Sequence, residues 1–246
     1  MKNVVLYLKL DDTPYHAHDN ILRYLYAQID NSLHYGYNPE DLIVVTNFNF
    51  EYRGIKNTFP KRLCDFNVWA NKFYVCKDLL AQYHDDIWLH DYDVWQIDHF
   101  EYPEFIGEFA GCPYSKKNTN WNGGSFFFNK RAQNTLDFIC EFYETNRDQI
   151  SKLDDGRGPK WYSDEQIVGY LQKTLPTFKA SCTTLTPQYN LGMTLFEDRY
   201  DCAIKPIKAI HVKLLHEKDR NKFLGLCENK VLIPTHLHDI IDKYKL

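Results

Sequence analysis

The chain has 246 residues, 44% of them hydrophobic and 25% charged, with a formal net charge of −4. That length suffices for one large domain with a substantial core, and the slightly acidic balance supplies no overall basic field for a nucleic-acid backbone. No apolar run approaches the roughly 20 residues of a membrane span, and the start of the chain has neither the apolar core nor the cleavage site of a signal peptide. Cys64, Cys76, Cys112, Cys140, Cys182, Cys202 and Cys227 are odd in number, scattered and free of any C-x-x-C pair. This argues against structural zinc or a disulfide framework and predicts a soluble, cytoplasmic protein.

Residues 4–10 are nearly continuously apolar, as in a strand covered on both faces. Ile21, Leu22, Leu25, Ile29 and Leu33 then recur at helical spacing, with Asp19 the expected N-cap and Gly36 the terminator. Residues 42–46 predict a second buried strand, and the strand, helix, strand order predicts a right-handed βαβ unit. Residues 47–60 read as a polar loop. From Phe66 a second helix places Phe66, Trp69, Phe73, Cys76, Leu80 and Tyr83 on a core stripe, with Lys72 and Lys77 off it. No internal repeat or linker interrupts the chain.

That helix leads to residues 87–90, an apolar strand ending in Asp91-Tyr92-Asp93. Alternation sends Asp91 and Asp93 to one side as the chain leaves the sheet. Two converging carboxylates repel unless a cation sits between them, and hard divalent ions such as Mg²⁺ or Mn²⁺ prefer oxygen ligands. A D-x-D triplet is usually a solvated turn, but the carboxyl end of a parallel strand is where α/β sheets bind ligands.

Farther on, Asn122-Gly123-Gly124-Ser125 opens an apolar strand, and the glycine pair fits either close approach of a ligand or a tight turn. Residues 131–146 read as a helix and 151–162 as a loop. Ser163 and Gln166 match a capping box, which by itself accounts for Asp164 and Glu165 in a helix first turn. Residues 207–215 read as a strand with His211 and Lys213 on one side, and a last helix starts near Thr235.

Taken in order, the βαβ start, Trp88-Leu89-His90-Asp91-Tyr92-Asp93, Asn122-Gly123-Gly124-Ser125, Asp164-Glu165-Gln166 and Ile210-His211-Val212-Lys213 resemble GT-A fold nucleotide-sugar glycosyltransferases of the glycogenin and lipopolysaccharide galactosyltransferase type. The resemblance implies a single α/β domain with a mostly parallel central sheet flanked by helices. Residues 1–95 would form a nucleotide-binding half and 96–246 an acceptor-binding half. It implies a Mn²⁺ or Mg²⁺ cofactor held by Asp91, Asp93 and His211, a nucleoside-diphosphate sugar donor, and a saccharide or other hydroxyl acceptor. Leu8, Asp11, Thr46 and Asn47 resemble nucleoside contacts, Lys72 and Lys213 resemble donor-facing cations, and Asn122, Gly123 and Gly124 resemble the segment beside the donor sugar. Asp164 or Glu165 would be the carboxylate near the acceptor hydroxyl, a base in an inverting enzyme or an electrostatic neighbour in a retaining one. Two features depart from the family pattern: Tyr92 stands inside the D-x-D, and no Gly-x-x-Lys-Pro-Trp segment follows His211.

Two other activities compete. A phage-type transferase acting on a hydroxylated DNA base would use a basic rim built from Lys116, Lys117, Lys130, Arg131, Arg157 and Lys160; a compact, cysteine-containing chain without targeting signals would suit a phage or viral enzyme in a host cytoplasm. A nucleotidyltransferase or phosphohydrolase would use His90-Asp91 with Asp93 as its metal site.

Overall fold

The structure is a computed structural model that describes residues 1–9, 15–114, 120–150, 164–214, 217–228 and 230–246. In chain order its strands are β1 (Lys2–Leu6), β2 (Leu42–Val45), β3 (Glu51–Tyr52), β4 (Ile55–Thr58), β5 (Ile87–Asp91), β6 (Val94–Gln96), β7 (Phe109–Pro113), β8 (Trp121–Phe128), β9 (Cys182–Thr184), β10 (Leu191–Gly192) and β11 (Ala209–His211). The helices are α1 (Tyr15–His34), α2 (Asn71–Tyr83), α3 (Gln133–Thr145), α4 (Arg147–Ile150), α5 (Asp164–Thr174), α6 (Pro176–Ser181), α7 (Phe196–Cys202), α8 (Glu217–Cys227) and α9 (Thr235–Tyr244).

The main sheet runs β3-β4-β2-β1-β5-β8-β7-β9. β4, β2, β1 and β5 are mutually parallel, as the βαβ reading requires. Past β5 the sheet becomes mixed, because β8 runs antiparallel to both β5 and β7. This reversal lays Asn122 to Gly124, at the start of β8, beside the end of β5.

Alternation along the central strands divides the core. Ile87 and Leu89 of β5 and Phe126 and Phe128 of β8 pack with Phe73, Val75 and Leu79 of α2 and Leu136 and Ile139 of α3. Trp88 and Phe127 point the other way, with Phe100. Each buried side chain of this size contributes roughly 1.5–3 kcal/mol. Asp91 continues the Ile87, Leu89 series and so emerges on the α2 side. A smaller sheet of β10, β11 and β6 carries His211 back toward the β5 exit, since His211 is the cross-strand partner of Val94.

Several sequence expectations are corrected. α1 begins at Tyr15, so Asp19 lies inside the helix and is not its cap. The stretch expected to be a loop after β2 contains the β3–β4 hairpin, whose Arg53-Gly54 turn has φ of 51° and 77°. β7 was not anticipated at all. α2 begins at Asn71 after a single 3₁₀ turn capped by the Asn67 side chain, and Trp69 is 40% exposed and not part of the core stripe. β11 ends at His211, leaving Lys213 beyond the strand. Ser163, and with it the capping box, lies outside the described residues, as does Asp11.

Candidate active site

The exits of β1, β2 and β5 share one edge of the parallel sheet. At that edge the Asn47 side chain pairs with the backbone of Lys9 in both directions, at 2.8 Å each, tying the first two exits together. Thr46 is fully buried with its hydroxyl on the Phe48 carbonyl, whereas Leu8 is partly exposed.

After Asp91 the chain turns at Tyr92 and Asp93 before entering β6. Gln28 Nε2 pins this turn by donating to the Tyr92 and Val94 carbonyls, both at 2.8 Å. Tyr92 is thereby directed away from the carboxylates, with its ring edge-on to Tyr24 and Tyr7. Its bulk inside the D-x-D is therefore accommodated as packing. The Val212 N–H donates to the Asp93 carbonyl at 2.9 Å, and this bond brings the end of β11 against the turn. Asp91, Asp93 and His211 can each offer a ligand atom, all within 4.8 Å of one another.

Asn122 determines which nitrogen of His211 is free. Its Oδ1 accepts from the Gly124 N–H at 3.0 Å and from Asn190 Nδ2 at 2.7 Å, so it is an acceptor for His211 Nδ1 at 3.1 Å as well. Nδ1 must then carry the proton. Nε2, 3.3 Å from Asp93 Oδ1, faces a carboxylate oxygen with a lone pair unless a proton or a cation stands between them. Two oxygen donors and one imidazole oriented by an amide suit a divalent ion of the Mn²⁺ type.

Lys72, expected off the core stripe, is the principal surprise. It is 7% exposed, and its Nζ lies 2.8 Å from Asp91 Oδ1, 2.9 Å from Asp164 Oδ2 and 2.7 Å from the Gly123 carbonyl. Burial opposes its charge, but Asp164 and Asp91 together raise its pKa above the ordinary lysine value. Asp91 and Asp164 thus share one ammonium, while Asp93 faces His211. Burial raises the Asp91 carboxyl above its usual range despite Lys72. Burial acts on Asp93 in the same direction, yet His211 and then Lys213 hold it below that range.

The glycine pair has an internal explanation. A Cβ on Gly123 would sit 2.4 Å from Asp164 Oδ2, and one on Gly124 would sit 2.5 Å from His211 Cε1. Neither glycine is at positive φ, and neither makes a turn. Their missing side chains make room for Asp164 and His211. Glu165 is held by the Gly123 N–H at 2.7 Å and the Tyr114 hydroxyl at 2.8 Å. Burial and then the Asp164 charge raise its pKa.

A cavity of about 150 Å³ adjoins this cluster, lined by Asp93, Asn122, His211, Lys213, Arg199 and Asp219 among others. Arg199, Tyr114 and Asn190 were not anticipated. Arg199 sits in a short charged helix that reads as surface, and no local pattern marks it. His90 does not join the site. It points to the opposite face of the sheet, stacked on Trp88 with its ring nitrogens on the Asp91 carbonyl and the Asn3 amide group, which removes the His-Asp pairing of the phosphohydrolase alternative. Of the basic residues invoked for DNA, only Lys130 and Arg131 are described. They lie at the opposite sheet edge, where the Lys130 N–H meets Asp86.

No protein-family model matches the chain, and no curated protein matches it in sequence. Solved structures do. The galactosyltransferase LgtC, in complex with donor and acceptor sugar analogues, is 13% identical with a TM-score of 0.53, covering 98% of this chain and all of its own. The fold is that of the GT-A glycosyltransferases. Two more GT-A matches are a glycosyltransferase involved in glycosylation of the PBCV-1 major capsid (11% identity, TM-score 0.54, covering 91% of this chain and 100% of that one) and GlyE of Streptococcus pneumoniae TIGR4 (12%, 0.58, 98% and 63%). The resemblance read from the sequence thus holds at the level of fold. Among the described residues no helix is long and apolar enough to cross a membrane.

Proposed function

We propose that the chain is a metal-dependent glycosyltransferase that moves a sugar from a nucleoside-diphosphate sugar to an acceptor hydroxyl. The observation that carries this reading is the placement of Asp91, Asp93 and His211 around one point at the ligand-binding edge of a GT-A sheet, with Lys72 fixed beneath Asp91. Asp91, Asp93 and His211 would hold a Mn²⁺ or Mg²⁺ ion. When bound, such an ion supplies Lewis-acid stabilisation of the charge that grows on a departing diphosphate.

The chain's own residues orient the reaction around that point. Asn122 holds His211 by Nδ1, so that Nε2 would be the nitrogen offered to a metal ion. Lys213, exposed at the cavity rim, supplies a second positive charge on the phosphate side. Asp164 is enclosed between Lys72 and Gly123, and Glu165 is tethered by two donors. That enclosure supports an electrostatic and positioning role for the pair over proton abstraction from an acceptor. The test is release of nucleoside diphosphate from a panel of nucleotide sugars, with and without a mixture of saccharide acceptors, in Mn²⁺ and in chelator. Metal-dependent release from at least one donor is expected; none from any donor would refute the proposal.

A further inference from the structure

Among the described residues the buried cations are Lys72 and Arg199. Lys72 is matched by two carboxylates. Arg199, 1% exposed, has no carboxylate within ion-pair distance among the described residues. Its Nη2 donates to the Asn190 carbonyl and its guanidinium lies over the Tyr114 ring, 5.6 Å from the centroid, while Nε has no hydrogen-bond partner among the described residues. An uncompensated buried charge is among the costliest features a fold can carry. An apolar side chain could fill the same space without that cost.

The position of Arg199 indicates what compensates it. Arg199 lines the cavity that Asp93 and His211 also line, and Lys213 stands on the same cavity. Gly192 lets it approach, since a Cβ there would lie 3.2 Å from Nη1. Once a divalent cation neutralises Asp93, the wall presents Arg199 and Lys213 against the single carboxylate of Asp219, a net positive lining. A planar fork of N–H donors is suited to phosphate oxygens.

We propose that Arg199 is a binding residue for a phosphate-class oxyanion in this cavity, the terminal phosphate of the leaving nucleoside diphosphate. This rests on the function proposed above. The charge buried in the free protein is then compensated only when the phosphate is present, and its guanidinium binds the group on which negative charge develops. A phosphate on the acceptor would present the same chemistry, and the two sources differ in what a nucleotide alone can show.

The test measures binding of ADP, CDP, GDP and UDP, and of their monophosphates, to the wild type, Arg199→Gln and Arg199→Lys in Mn²⁺. Gln keeps a donor for the Asn190 carbonyl and removes the charge. The expected result is a loss of about tenfold or more in diphosphate affinity for Arg199→Gln, unchanged monophosphate affinity, and a smaller diphosphate loss for Arg199→Lys. Equal losses for both nucleotide classes would mark Arg199 as structural. Unchanged diphosphate affinity would overturn the proposal and leave the acceptor phosphate as the source. If Arg199→Gln does not fold, Arg199→Lys decides by the same diphosphate-to-monophosphate comparison. If no nucleotide binds the wild type, the proposed function fails. Inorganic pyrophosphate with Mn²⁺ then tests Arg199 separately, and equal binding by wild type and variant overturns it.

Discussion

Lys72 and Asp164 form an enclosed ion pair, Nζ to Oδ2 at 2.9 Å, that joins the first turn of α2 to the first turn of α5 across the start of β8. Because Asp91 shares the same ammonium, the pair links Asp91 of the D-x-D to Asp164.

Removing the ammonium leaves two carboxylates uncompensated in a buried setting. Lys72→Met is expected to lower stability by about 3–5 kcal/mol, measured by urea denaturation. Mn²⁺ should recover part of the loss, since a divalent ion supplies the missing charge. In a double-mutant cycle Lys72→Met and Asp164→Asn should be non-additive by at least about 1 kcal/mol. Additive effects would mean that the pair does not couple.

The two glycines of β8 make separable predictions. Gly124→Ala drives a methyl into His211, and Gly123→Ala drives one into Asp164. Overpacking of this kind costs about 1–3 kcal/mol in each variant. Titration calorimetry with Mn²⁺ should show the larger loss of metal affinity in Gly124→Ala, because His211 is the proposed ligand that the methyl displaces. The reverse order would contradict the assignment of His211.

Asn122→Ala removes the acceptor that orients His211 Nδ1. Loss of such an outer partner is expected to weaken metal binding by about 10–100-fold, read in the same calorimeter. His211→Ala in the Asn122→Ala background should then add little, and a full additional loss would show that Asn122 acts elsewhere.

The legible parts of this protein were those set by local pattern. The continuous apolar runs of β1, β2 and β5 and the helical periodicity of α1 are enough to put Asp91 and Asp93 at a sheet edge. The β3–β4 hairpin escaped because its two short strands carry no apolar run and its turn is marked only by Arg53-Gly54. Lys72 and Arg199 escaped for a different reason: a buried cation is decided by partners distant in sequence, here Asp91 and Asp164 for Lys72 and Tyr114 for Arg199. Gly123 and Gly124 were visible as a pair, but a sequence does not say that Asp164 and His211 fill the space beside them. Tyr92 broke the family pattern, yet Tyr7 and Tyr24 enclose it.

A pH dependence follows from His236, whose ring stacks on His34 with centroids 3.6 Å apart and whose Nε2 meets Asn31. Burial and then His34 lower its pKa to about 4, against the pull of Asp239. The folded value lies below the ordinary 6.5, so the unfolded chain binds more protons between them. The contribution is fully present above about 6.5 and is lost as the pH falls toward 4. Because the ring is partly exposed, about 1 kcal/mol is expected. His236→Gln should flatten the decline of Tm between pH 6.5 and 4.5, and an unchanged slope would assign the acid sensitivity elsewhere.

The central claim is that Asp91, Asp93 and His211 hold a divalent cation that carries a nucleoside diphosphate. Thermal unfolding with ADP, CDP, GDP or UDP, with and without Mn²⁺, tests it in the wild type and in Asp93→Asn. The account predicts that at least one diphosphate raises the wild-type Tm by several degrees only when Mn²⁺ is present, and that Asp93→Asn folds but shows no such rise. A shift of equal size without metal, or one retained in Asp93→Asn, would contradict it.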